Sequence, residues 1–169
     1  MKTHTVGTRV ESGTTAVVAR QRDIPEAIRA LDTLPSDYVD LFVATTGDAA
    51  KTSPEQWARA ALEGASALGR FMAWRVLLGL RLESRPSPDH LAGWKIADRG
   101  DDWIRIEASS WFMTANIVFQ VDAARVSFAT FIRYDNPIAA VVWTPVSAIH
   151  RRVAPDVLSA AVRRINRSR

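Results

Sequence analysis

Residues 126–167 read VSFATFIRYDNPIAAVVWTPVSAIHRRVAPDVLSAAVRRINR, and how this stretch divides decides the fold. From Val126 to Tyr134 apolar and polar residues alternate with the period of a half-buried strand. Asp135, Asn136 and Pro137 favour turn conformations, so they predict a reversal of the chain. Ile138 to Val146, rich in β-branched residues, reads as one more strand closing a hairpin. From Pro155 to Arg167 the period changes: Leu158, Ala161, Val162 and Ile165 share one face of a helix, and that stripe has to be buried against something.

Upstream, Trp94 to Ala97, Trp103 to Ala108 and Met113 to Val121 read as further strands. The turn at Asp98–Asp102 contains Gly100, and that at Asp122–Arg125 is short and polar. Ile104, Ile106, Met113, Ala115, Ile117, Phe119, Phe128, Ile132 and Tyr134 fall on one parity. Arg105, Glu107, Asn116, Gln120 and Arg133 fall on the other. One face of the sheet should therefore meet the last helix and the other should meet water. Earlier still, Tyr38 to Val43 alternates around Asp40 as a first strand. Ser53, Pro54 and Gln56 form a helix start with a capping box, predicting helix toward Leu80 with a break near Gly64 or Gly69. Pro86 and Pro88 force a loop. Pro25 to Leu34 predicts a short helical turn. Residues 1–22, dominated by Thr, Gly, Ser and Arg, are expected to be a mobile arm or a loosely attached edge. Residues 23–169 are expected to form a single α+β domain with a curved antiparallel sheet around a long C-terminal helix.

A chain of 169 residues can bury roughly 70% of the surface its unfolded form exposes, so it needs no staple. It contains no cysteine, which excludes disulfides, thiolate metal sites and cysteine nucleophiles. Met1 to Val10 lacks the apolar core of a secretory signal, and a cytoplasmic location is expected. The net charge of +4 is spread along the chain except for Arg163, Arg164, Arg167 and Arg169, where cations complement a helix C-terminus. No nucleic-acid reader motif accompanies it.

The turn RYDNP, with Tyr134 and Asn136, and the run VWTPVSAIHRRVAP, with Pro145, His150, Arg151 and Pro155, resemble the START-like, or SRPBCC, helix-grip superfamily. Within it the resemblance is to an uncharacterised bacterial family known only as a domain of unknown function, and it spans about Asp37 to Arg164. It implies a START-like helix-grip fold with a cavity beneath the C-terminal helix. It implies no catalytic residue.

His150 and Arg151 are the sharpest polar feature, expected to anchor the last strand to the last helix more than to catalyse. His4 and His90 lie too far from each other and from paired acids to predict a metal site. Asp98, Asp101 and Asp102 read as turn residues. Gly64 and Gly69 have the spacing of a phosphate loop, but Arg70 and Phe71 stand where Lys and Ser or Thr are needed. G-x-G-x-x-G, G-x-S-x-G and H-E-x-x-H are absent. The stretch with Leu68, Phe71, Met72, Trp74, Leu77 and Leu78 is apolar nearly all round, so it should touch more than one partner.

The expected function is non-catalytic binding of a small apolar or amphipathic molecule between sheet and helix, without a cofactor or metal. Phe71, Trp74, Leu78, Ile106, Ile117, Phe119, Phe128, Thr130, Ile132, Tyr134 and Arg151 are the candidate ligand-binding residues. The alternatives are an enzyme of the cyclase, dehydratase or isomerase kind using the same cavity, and an interaction module whose cavity is filled. Homo-oligomerisation is left open, and no segment is long and apolar enough to predict a transmembrane span.

Overall fold

The computed structural model describes residues 17–64 and 74–168. Among them seven strands form one antiparallel sheet: β1 (Val17–Gln21), β2 (Tyr38–Thr45), β3 (His90–Leu91), β4 (Trp94–Arg99), β5 (Trp103–Ser109), β6 (Met113–Val121) and β7 (Arg125–Tyr134). Their order across the sheet is β1-β2-β7-β6-β5-β4-β3. The helices are α1 (Glu26–Arg29), α2 (Pro54–Leu62) and α3 (Ile138–Arg167). This is an α+β fold in which a curved sheet packs against a long C-terminal helix, a helix-grip-like arrangement.

Strand alternation places Ile104, Ile106, Met113, Ala115, Ile117, Phe119, Phe128 and Ile132 in one core with the inner residues of α2 and α3. The opposite face is not simply solvated, as an amphipathic sheet would predict. At its centre Leu41, Val118, Ala129 and Phe131 are buried under Ile28 of α1, with Ile24 and Leu31 packed beside them. Polar groups of that face secure the cover. Arg105 donates to the Leu31 carbonyl at 2.7 Å, and the Asn116 amide donates to Asp32 at 2.9 Å.

The helix start at Ser53 is as expected. The Ser53 hydroxyl accepts from the Gln56 N–H and the Gln56 side chain accepts from the Ser53 N–H, with Pro54 in the first turn. The helix ends at Leu62, and the Arg164 guanidinium of α3 reaches back over Gly64 to the Ala60 carbonyl.

The strand expected at Ile138–Val146 is instead the first part of α3, which runs 30 residues, on the order of 45 Å. Asp135, Asn136 and Pro137 do not close a hairpin. The Asn136 side chain accepts from the Ile138 N–H at 3.1 Å, and the Phe112 carbonyl receives the N–H groups of Asp135 and Asn136. Asn followed by Pro is thus a helix start here. Pro145 and Pro155 lie inside the helix and deny the Val141 and Arg151 carbonyls their usual donors. Thr144 turns its hydroxyl onto the Ala140 carbonyl at 2.6 Å, and Ser147 onto Thr144 at 2.8 Å. What holds the helix across both prolines is burial of its inner stripe: Ala139, Trp143, Ser147, Ala154, Val157, Leu158, Ala161 and Val162. Leu158, Ala161 and Val162 are sealed and Ile165 packs at the edge of the same core, as the stripe predicts.

Candidate functional site

Because His150 lies in the middle of a continuous helix, it does not join a strand to a helix. It continues the inner stripe Ala139, Trp143, Ser147 toward Ala154, and this turns its imidazole to the sheet. The strand beneath is β2. Its alternation puts Tyr38, Asp40 and Phe42 on the same face, opposite Ile132, Thr130 and Phe128 of β7. Asp40 thus presents a carboxylate to the concave face, and its side chain has no exposed surface.

Imidazole and carboxylate meet there. His150 Nε2 lies 3.3 Å from Asp40 Oδ2 and 3.2 Å from Thr130 Oγ1. The Tyr38 hydroxyl donates to the same Asp40 oxygen at 2.7 Å. Arg151 stands behind this group, donating to Ser147 Oγ at 3.0 Å and to the Tyr38 oxygen at 3.4 Å. Burial, and next the bond and charge of Asp40, push the Tyr38 hydroxyl above the ordinary tyrosine range, so it remains a donor. Asp40 Oδ1 has no partner among the described residues.

Aromatic rings surround the imidazole: Trp143 at 5.7 Å between centroids, Phe42 at 6.2 Å and Phe128 at 6.3 Å. Tyr38 meets Trp143 edge-on at 5.3 Å, and Phe128 stacks on Phe119 at 5.0 Å. Beside the imidazole lies a cleft of about 150 Å³ whose walls are Leu62, Trp74, Leu77, Leu78 and Phe128, closed by Trp143, Val146, Ile149, His150, Val153, Ala154 and Val157 of α3. His150 is the one titratable residue among the described residues of that wall. Leu77 and Ile149, 53% and 59% exposed, form the rim. A smaller void of about 30 Å³ lies deeper, bounded by Ile117, Thr130, Ile132 and Trp94 and sharing Trp74, Leu78, Phe128, Trp143 and His150 with the cleft. A broader hollow of about 500 Å³ near Arg75, Arg81, Glu83 and His90 is an open, mostly polar surface.

The structure brings some of the sequence candidates together. Trp74, Leu78 and Phe128 border both spaces, while Ile117, Thr130 and Ile132 border the deeper one. Ile106 and Phe119 are sealed in the core. Tyr134 stands at the end of β7, where its N–H donates to Asp37, and Arg151 turns to Tyr38 and Ser147. Neither borders the two spaces. Phe71 lies outside the described residues. Sequence reasoning did not single out Asp40 and Tyr38. Asp40 was visible as a carboxylate on the apolar parity of β2.

Among the described residues no group of three His, Asp or Glu side chains is placed to hold a metal ion, and no helix is long and apolar enough to cross a membrane. In comparison with known proteins, no family model matches the chain, and no curated protein or solved structure is significantly similar to it.

Proposed function

We propose that the chain binds a small, mainly apolar molecule about the size of one ring, carrying one polar end, in the cleft beneath α3. The observation that carries this reading is a half-enclosed apolar cleft of about 150 Å³ with a single titratable group, His150, in its wall. A dry cavity on the order of 150 Å³ accommodates a ring the size of benzene. Affinity comes chiefly from burial, at roughly 25 cal/mol for each Å² of apolar ligand surface removed from water. The imidazole, held against Asp40, orients the polar end.

Calorimetric titration with p-cresol and with toluene tests this. The expected result is saturable one-site binding, tighter for p-cresol because its hydroxyl reaches the imidazole. Val153 is half-buried in the cleft wall, so Val153→Trp should fill the space, keep the fold and weaken p-cresol binding at least about tenfold. A folded Val153→Trp protein with unchanged affinity, or the absence of heat from either compound at millimolar concentration, would place the ligand elsewhere.

A further inference from the structure

We propose that His150 is a proton-transfer base for the molecule held in this cleft, with Asp40 as its positioning residue, and that the substrate class is a small apolar ketone with a removable α-proton. This rests on the binding reading above and adds chemistry to it.

Asp40 is the first reason. A carboxylate with no exposed surface sits on the concave face where Phe42 and Phe128 show that an apolar side chain would fit. A polar pair in such a place adds little stability over apolar packing, so a latch between β2 and α3 does not explain it. The second reason is orientation. Nε2 lies 3.2 Å from the Thr130 oxygen and 3.3 Å from the Asp40 carboxylate oxygen, two atoms that can both accept, so we assign the ring proton to Nε2. The lone pair then lies on Nδ1, which has no hydrogen-bond partner among the described residues. The imidazole is 19% exposed while the carboxylate is 0% exposed, so the ring is the member of the pair that reaches the cleft. The third reason is a spare donor. The Trp143 indole N–H is buried without a partner, and its residue shares both the cleft and the smaller void with His150. A ligand oxygen is the acceptor that this group lacks.

The step balances without a co-reactant. Nδ1 takes the proton from the carbon beside the carbonyl, and that C–H pair becomes the carbon–carbon double bond of an enolate. The carbonyl π pair moves to oxygen, next to the Trp143 N–H, while Asp40 steadies the imidazolium. Once the imidazolium has traded its Nδ1 proton for a solvent deuteron, delivery of that deuteron to the same carbon gives exchange. Delivery to the γ-carbon of a β,γ-unsaturated ketone gives its conjugated isomer.

Cyclohexanone in D2O is the probe, with deuterium entry at the α-carbons read by mass spectrometry and occupancy read by its competition with p-cresol in the calorimeter. Wild-type protein should exchange the probe about a hundredfold faster than equimolar free imidazole. His150→Gln should fall to the buffer rate while cyclohexanone still competes. Asp40→Asn should lower the maximal exchange rate about tenfold at unchanged cyclohexanone affinity, a split that a merely structural role would not produce. Competition by cyclohexanone with exchange no faster than free imidazole would overturn proton transfer and leave the binding reading standing. Lack of competition against bound p-cresol would overturn the ketone assignment and likewise leave the binding reading standing. Undiminished exchange in His150→Gln would remove the role from this residue, and the wild-type comparison with imidazole decides the matter even where a variant does not fold.

Discussion

The two halves of α3 meet the same sheet in different ways. From Ala154 onward the inner residues are all apolar: Ala154 and Val157 touch the edge of the cleft, and Leu158, Ala161 and Val162 are sealed with α2 packed along them. Before Ala154 the inner stripe carries Ser147 and His150 among its apolar residues, and Val141 and Ile149 remain exposed on the outside. The later half anchors the fold. The earlier half gives up apolar contact for a polar group beside a space, and local departures from good core design of this kind are expected at functional sites.

Truncations that break this contrast should have the largest effect. Leu158 is completely buried, so Leu158→Ala should destabilise the protein by about 3 kcal/mol in urea denaturation. Val146 already borders the cleft, so Val146→Ala should cost about 1 kcal/mol or less. Equal losses at the two positions would mean that the halves do not differ in the way described.

A smaller effect is expected from the polar pair. His150→Ala removes one of the two side chains that reach Asp40 Oδ2, and leaves the carboxylate buried with the Tyr38 hydroxyl alone. The expected cost is about 2 kcal/mol. Adding Asp40→Leu to that variant should recover most of it, because replacing both partners by apolar groups removes the unsatisfied charge. A double variant no more stable than the single one would show that the pair contributes net stability and that the earlier half of α3 is also an anchor.

Much of this architecture was legible from the residues. The strands from Trp94 to Tyr134 were visible as alternation bounded by Gly, Asp and Pro, and the Ser53 capping box and the stripe through Leu158 read directly. The misreading fell at Ile138–Val146. Val141, Val142 and Trp143 favour strands and Pro145 disfavours helix interiors, so local propensity points away from the observed helix. Two signals pointed the other way: Asn136–Pro137 as a cap, and the spacing Ala139, Trp143, Ser147, His150. Long-range burial decided between them. The meeting of Asp40 with His150 was not legible, since it depends on the rotation of α3 and on β2 lying beside β7.

The smallest expected effect concerns alkaline pH and separates Tyr38 from the rest of the core. Burial first, and then Asp40, raise the Tyr38 hydroxyl in the folded state, whereas the unfolded chain releases that proton near pH 10. The folded state therefore holds a proton that the unfolded state has lost. The stabilisation linked to this group is complete below about pH 10 and declines as pH rises above it. Tyr134 is raised too, by burial and then by Asp37, so wild type and a Tyr38→Phe variant share that part of the decline. Between pH 9 and pH 11 the wild-type protein should lose about 1 kcal/mol more than Tyr38→Phe in urea denaturation, although the variant starts lower because Asp40 has lost a donor. Parallel losses in the two proteins would mean that Tyr38 ionises as easily folded as unfolded, and that the space between β2 and the first half of α3 is wetter than its aromatic lining indicates.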